Sequence, residues 1–246
     1  MAERFPKADS KSVLPTINNK TKPASQPDLF SKFIQAKTDR PEFMTDSLVM
    51  TMAVSMAFAG SETTAISLSS VFYYLLKNPI CMEVLMKEID GRARDGYFKD
   101  REHGLVSWTE SQGLLYLDAC IKESFRLHPA PGLPLERVVP PPGADIAGEF
   151  IKGGTIVGCN AWVIHRRTEV FGEDVEDFRP ERWLVDETRD KDSEAKRVKK
   201  MRGTMLQFGM GARTCIGKNI SLLEIYKLVP TVLRRFEVCV PTPPQL

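Results

Sequence analysis

Cys215 sits in the run Phe208-Gly209-Met210-Gly211-Ala212-Arg213-Thr214-Cys215-Ile216-Gly217, directly ahead of an apolar helical stretch at 220–229. Gly209, Gly211 and Gly217 permit a tight loop and the close approach of a large flat ligand. A sulfur between Arg213 and a helix N-terminus lies in positive potential, which suits an anionic ligand for a soft metal. A lone cysteine in a Gly-rich turn is ordinarily a buried structural residue. That reading leaves Arg213 and the three glycines without a purpose. A second constellation is Ala59-Gly60-Ser61-Glu62-Thr63-Thr64, in the middle of an otherwise apolar helix. Glycine there costs about 1 kcal/mol against alanine. Taken alone, the segment reads as a kink with satisfied hydroxyls. Glu123 and Arg126 share a helix face, and such a pair on a surface is worth a few tenths of a kcal/mol. Arg137, in Leu135-Glu136-Arg137-Val138, taken alone is a solvent-facing strand arginine. His103, His128 and His165 are not spaced as metal ligands, and His165 reads as a satisfied structural histidine.

The cysteine run matches the ligand loop of the cytochrome P-450 family, Phe-Gly-x-Gly-x-Arg-x-Cys-x-Gly, at every fixed position. Gly60-Ser61-Glu62-Thr63-Thr64 resembles the family's oxygen-binding segment. Glu123-Ser124-Phe125-Arg126 resembles its Glu-x-x-Arg motif, and Pro180-Glu181-Arg182-Trp183 its Pro-Glu-Arg-Phe/Trp motif. The four motifs stand in the family's order over residues 59–217. By that resemblance Cys215 is the axial ligand of haem b, iron protoporphyrin IX. Phe208, Gly211 and Gly217 shape its loop, and Arg213 and Arg137 hold the propionates through bidentate bonds. Gly60 leaves room for dioxygen, Thr63 hydrogen-bonds it, and Glu62 helps deliver protons. Glu123, Arg126 and Arg182 form a buried network that fixes the loop. The implied activity is a monooxygenase acting on a small hydrophobic substrate, with electrons from an NADPH cytochrome P-450 reductase. The runs 158–166 and 223–227 resemble filamentous-fungal members of the pisatin-demethylase and benzoate-hydroxylase kind, in secondary metabolism or detoxification.

These residues need elements to carry them. Residues 44–76 read as one long helix of roughly 50 Å, stopped by Lys77-Asn78-Pro79. Glu62 is its one charge between Asp46 and Lys77, so it is expected to be buried on all sides. A second helix runs over 79–89 behind Asn78. A loop follows over 91–108, then a helix capped by Ser107 or Thr109 that ends before Pro129. Past a Pro-rich stretch, strands are expected at 135–139, 149–151 and 155–160, and a short helix at 161–166. Residues 170–184 read as irregular and 186–202 as a solvated charged loop. The cysteine loop leads into the last helix and a strand at 236–240. The fold class is mainly α with a small β region, a cytochrome P-450 fold truncated at both ends.

The 246 residues are 42% hydrophobic and 27% charged, with net charge +2. This is a globular composition with no case for nucleic-acid binding. The cysteines (81, 120, 159, 215, 239) are odd in number and widely spaced, which argues against a disulfide framework or a zinc site. Three of them fall in apolar patterns and are expected in the core. Residues 1–28 are rich in Lys, Pro, Ser and Asn and are expected to be disordered or loosely attached. The domain reading is therefore 1–43 as an N-terminal segment and 44–246 as the haem-binding C-terminal part of the domain. Full-length members are anchored in the endoplasmic reticulum membrane and carry an N-terminal half that 43 residues cannot hold. Three functions compete: the monooxygenase, a truncated and inactive remnant of one, and a haem-binding isomerase or sensor without oxygen activation.

Overall fold

The computed structural model describes residues 2–3 and 28–239. The expectation for 1–28 thus lies almost wholly outside the described residues. Strand β1 is Ala2–Glu3, and helix α1 is Leu29–Asp39. Asp28 caps α1 by accepting from the Ser31 amide at 2.7 Å. Helix α1 falls within the 1–43 segment, and its single buried residue is Phe33.

Helix α2 is Asp46–Lys77, 32 residues. The chain divides into two compact units, 5–62 and 1–4 with 63–246, so the division falls inside this helix. In the larger unit α2 buries Thr64, Ser67, Ser70, Val71 and Leu75. In the smaller unit Phe33, Met44 and Val49 form a separate cluster, while Met50, Val54 and Phe58 are exposed. The expectation of a helix covered all round is therefore corrected. Only the 64–75 stripe meets a deep core, because the residues that fill that core come from later in the chain. Among the described residues no helix is long and apolar enough to cross a membrane.

That core belongs to α2, α3 (Pro79–Arg94), α5 (Leu115–Leu127) and α9 (Lys218–Arg235). Val71, Leu75, Leu85, Ile89, Leu117, Ile121, Ile225 and Val229 are completely excluded from solvent within it. Between α3 and α5 the single expected helix is broken in two. Ser107 and Glu110 make a reciprocal capping box on α4 (Trp108–Ser111). The chain then bends at Gly113, where a Cβ would sit 2.1 Å from the Tyr97 hydroxyl. The start of α5 lacks a cap of its own. Glu88 of α3 supplies one, accepting from the Tyr116 and Leu117 amides at 2.9 and 3.1 Å.

Among the described residues the β region is three two-stranded ladders. Strand β2 (Leu135–Val138) pairs antiparallel with β5 (Ile156–Cys159), Leu135 opposite Cys159. Strands β3 (Ala144–Ile146) and β4 (Glu149–Ile151) form a hairpin across Ala147 and Gly148, both at positive φ. An alanine at φ 55° carries no turn signal, which is why β3 was not read from sequence. Strand β6 (Phe236–Glu237) pairs with β1. Helices α6 (Ala161–Ile164) and α7 (Thr168–Phe171) follow β5.

The charged run contains helix α8, Lys191–Thr204, where a solvated loop was expected. Asp190 caps it through the Ser193 amide at 2.8 Å. Its buried face is Glu194, Val198 and Met201. Only two of those three are apolar, so hydrophobic periodicity could not reveal the helix. Glu194 is satisfied by Arg197, which also donates to the Arg182 carbonyl at 2.7 Å. Among the cysteines Cys120 is buried, Cys81 half-buried, and Cys159, Cys215 and Cys239 exposed, so the core holds fewer than the apolar patterns suggested.

Candidate functional site

Cys215 lies two residues before the N-cap of α9, Gly217. Its amide donates to the Phe208 carbonyl at 2.7 Å, and the Thr214 hydroxyl donates to the same carbonyl at 3.2 Å. The ten-residue run is thereby closed into a loop. Gly209 (φ 67°) and Gly211 (φ 69°) adopt the left-handed backbone that a side chain disfavours. Phe208 points its ring at Phe125 of α5, edge to face at 5.8 Å, so it roots the loop in the main core.

Cys215 and its neighbour Ile216 are exposed, Ile216 by 86%. A Cβ at Gly217 would stand 3.8 Å from Cys215 Sγ, and one at Gly211 would meet nothing within 4 Å. A hypothetical Cβ at Gly209 would lie 3.8 Å from Leu135 Cδ1, which sets β2 against the loop. Arg137 is two residues along β2 and so shares the Leu135 face. Arg137 and Arg213 are both exposed. Among the described residues neither has a carboxylate partner, and Arg137 donates only to the Glu136 carbonyl. An exposed soft sulfur flanked by glycine, apolar surface beside it and two cations without counter-ions suit a flat apolar ligand carrying carboxylates. The residues present therefore fit haem.

Behind the loop, Glu123, Arg126 and Arg182 come together with their side chains fully excluded from solvent. Glu123 Oε1 accepts from Arg126 Nη2 (2.8 Å), Arg182 Nε (2.8 Å) and the Arg179 amide (3.0 Å). Its Oε2 accepts from Arg126 Nε (3.0 Å) and Trp183 Nε1 (2.8 Å). Arg126 spends its remaining donors on the carbonyls of His165, Val175 and Asp177. Arg182 reaches the Phe171 carbonyl and both the side chain and carbonyl of Asp174. Desolvation opposes ionisation of Asp174, but the bond and charge of Arg182, followed by Arg179, hold its carboxyl below the usual range. A buried charge cluster survives only when every donor and acceptor is matched, and this one is. Trp183, Asp174 and His165 belong to it although the sequence motifs flagged no role for their side chains.

Of the oxygen-segment residues, Thr63 is in the same unit as the loop. Its carbonyl accepts from Ser67 Oγ at 2.9 Å. Its neighbour Thr64 donates to Ser221 Oγ at 3.2 Å, and the Ser221 amide donates to the Gly217 carbonyl. This turn of α2 is thus bonded to the first turn of α9, immediately after the cysteine. Ser221 carried no sequence signal. Gly60 and Glu62 belong to the smaller unit, where both are exposed and a Cβ on Gly60 would meet nothing within 4 Å.

The family model described as Cytochrome P450 matches residues 7–245. Among similar proteins, the cytochrome P450 monooxygenase cicH of Emericella nidulans is 47% identical over 86% of this chain, which covers 40% of that protein. The cytochrome P450 monooxygenase ACRTS1 of Alternaria alternata is 41% identical over 86% of this chain and 53% of its own length. Pisatin demethylase of Fusarium vanettenii is 42% identical over 73% of this chain and 32% of its own length. The chain therefore spans about a third to a half of these relatives. Its cysteine loop, its buried Glu123–Arg126–Arg182 network and these matches agree, and the chain belongs to the cytochrome P450 family.

Proposed function

We propose that this chain carries the haem-binding part, residues 44–246, of a haem-thiolate monooxygenase. The reaction is insertion of one oxygen atom of O2 into a small hydrophobic organic molecule, in fungal secondary metabolism or detoxification. The observation behind this reading is the cysteine loop, with exposed Cys215 tied to Phe208, and Arg213 and Arg137 without a carboxylate partner among the described residues. The named activities of the fungal relatives support the same reaction class.

Haem b, when bound, supplies dioxygen activation, which a thiolate ligand directs toward O–O cleavage. Cys215 would offer the sulfur, and Arg137 and Arg213 would bind the two carboxylates. Gly211 and Gly217 leave the loop thin enough for a flat ligand to approach. By the family resemblance Thr63 would offer its hydroxyl as a hydrogen-bond donor to dioxygen, and Glu62 would serve proton delivery. Electrons come from an NADPH-dependent reductase. The test is the carbon monoxide spectrum of the reduced, haem-loaded protein. A strongly red-shifted Soret band, lost in Cys215→Ser, is the expected result. The same band in Cys215→Ser would remove Cys215 as ligand.

The exposed Met50, Val54 and Phe58 favour a second reading for the chain by itself, in which haem is held weakly and turnover is absent.

A further inference from the structure

His165 has no solvent exposure and no place in the family motifs quoted above. It follows directly on α6, and both of its ring nitrogens are engaged. The Leu206 amide donates to Nε2 at 2.8 Å. Nε2 must then carry a lone pair, which leaves the proton on Nδ1. Nδ1 lies 3.2 Å from the Arg126 carbonyl, where that proton is donated. Arg126 answers by donating from Nη1 to the His165 carbonyl at 3.2 Å. Histidine and arginine are thus bonded in both directions, each wholly buried.

The far side of the imidazole is the more informative. Leu206 stands two residues before Phe208. Its carbonyl accepts from Gly209 at 2.8 Å, forming the turn that opens the cysteine loop. Phe208 in turn accepts from Cys215. A continuous chain of bonds runs from Glu123 through Arg126, His165 and Leu206 to the loop that presents the sulfur.

We propose that His165 is a positioning residue for the Cys215 loop: as the neutral Nδ1–H tautomer it joins the Arg126 carbonyl to the Leu206 amide, so the buried network sets where the loop begins. Only its consequence for haem ligation rests on the reading given under the proposed function. The groups facing the ring agree with a neutral imidazole. Burial pushes its pKa down to about 4, the charges of Arg126 and Arg166 act in the same direction, and the Arg126 carbonyl opposes them. Phe171 stands edge-on to the ring at 6.4 Å. A phenylalanine would fill the space but serve neither partner. A glutamine could still accept from the Leu206 amide through Oε1.

The test is hydrogen exchange on the 246-residue chain, with peptides covering 204–217 and, as internal control, α3. In His165→Phe, exchange at the Leu206 amide should accelerate at least tenfold while α3 keeps its protection, and His165→Gln should recover most of the loss. In haem-loaded protein the thiolate-type carbon monoxide band should weaken in His165→Phe and return in His165→Gln. Nitrogen-15 spectra of labelled histidine in the unsubstituted chain should show the Nδ1–H tautomer at neutral pH. An Nε2–H or charged ring there would overturn the proposal even if His165→Phe failed to fold. Unchanged Leu206 exchange in a folded His165→Phe, or equal loosening of α3, would overturn it as well. Exchange is read without haem, so failure of the ligand reading appears in the Cys215→Ser spectrum and failure of this proposal at the Leu206 amide.

Discussion

Glu123 and Arg126 face each other across one helical turn through two parallel bonds of 2.8 and 3.0 Å, with neither side chain touching solvent. The geometry is the fork-to-carboxylate arrangement that lysine cannot reproduce. Arg126 also closes three backbone carbonyls outside its helix, so it ties α5 to the segment 165–177. Removing it leaves Arg182 as the cation on Glu123 and takes the Arg126 donor from the His165 and Val175 carbonyls, while the Asp177 carbonyl keeps Arg182 Nη2 at 3.4 Å.

Arg126→Ala is expected to destabilise the larger unit by about 3–5 kcal/mol, and Arg126→Lys to recover only a minor part. Denaturant unfolding followed by circular dichroism measures this. A lysine variant of parental stability would show that charge alone matters and that the fork geometry is incidental.

The pH dependence of stability should carry the signature of His165. Its pKa in the folded chain is about 4, against 6.5 for a free imidazole. Below 6.5 the unfolded chain therefore binds a proton that the folded chain refuses, and protonation favours unfolding. The contribution is fully present above pH 6.5, falls as pH drops toward 4, and is constant below that. A shift of this size corresponds to roughly 3 kcal/mol. Comparing unfolding free energies of the parent and His165→Gln at pH 7 and pH 4.5 isolates it, since glutamine does not titrate. Identical pH slopes for the two chains would contradict the assignment.

The sulfur's accessibility depends on Gly217. Its backbone is not in the left-handed region, so a side chain there is tolerated by the main chain. A single Cβ would be in ordinary contact with Cys215 Sγ at 3.8 Å, whereas a branched residue would extend over the sulfur. Gly217→Ala is expected to retain most haem binding and Gly217→Ile to lose it at least tenfold, with helix content unchanged. Titration with haem, read by absorbance, separates the two. Equal affinity in both variants would show that the ligand approaches Cys215 from another side.

What the sequence revealed follows from what each element depends on. The cysteine loop and the Glu123–Arg126–Arg182 cluster were legible because their chemistry requires particular residue types at fixed spacing. The long helix was legible from the apolar run, but its burial was not, since cover depends on residues far along the chain. Helix α8 was hidden because Glu194 occupies a core position that Arg197, with the Asp186 amide and Arg189, makes tolerable. The role of His165 was equally hidden. Its partners are 39 and 41 residues away and are backbone groups, which leave no trace in side-chain identity.

Met50, Val54 and Phe58 are spaced four apart on α2 and so form one continuous stripe, exposed by 64, 57 and 72%. Isolated exposed apolar residues are ordinary, but three aligned on one helix face make a surface that association would cover. Burying each such side chain is worth up to about 1.5–3 kcal/mol, a contribution that favours self-association of the chain. Replacing the stripe's end with a charge pair, Val54→Glu with Phe58→Lys, keeps helix propensity and adds a favourable i,i+4 ion pair. Sedimentation velocity should show oligomers or aggregates for the parent and a monomer for the double variant, with unchanged circular dichroism. A parent chain that sediments as a monomer, or a double variant that associates just as strongly, would show that this face is not the one that drives assembly.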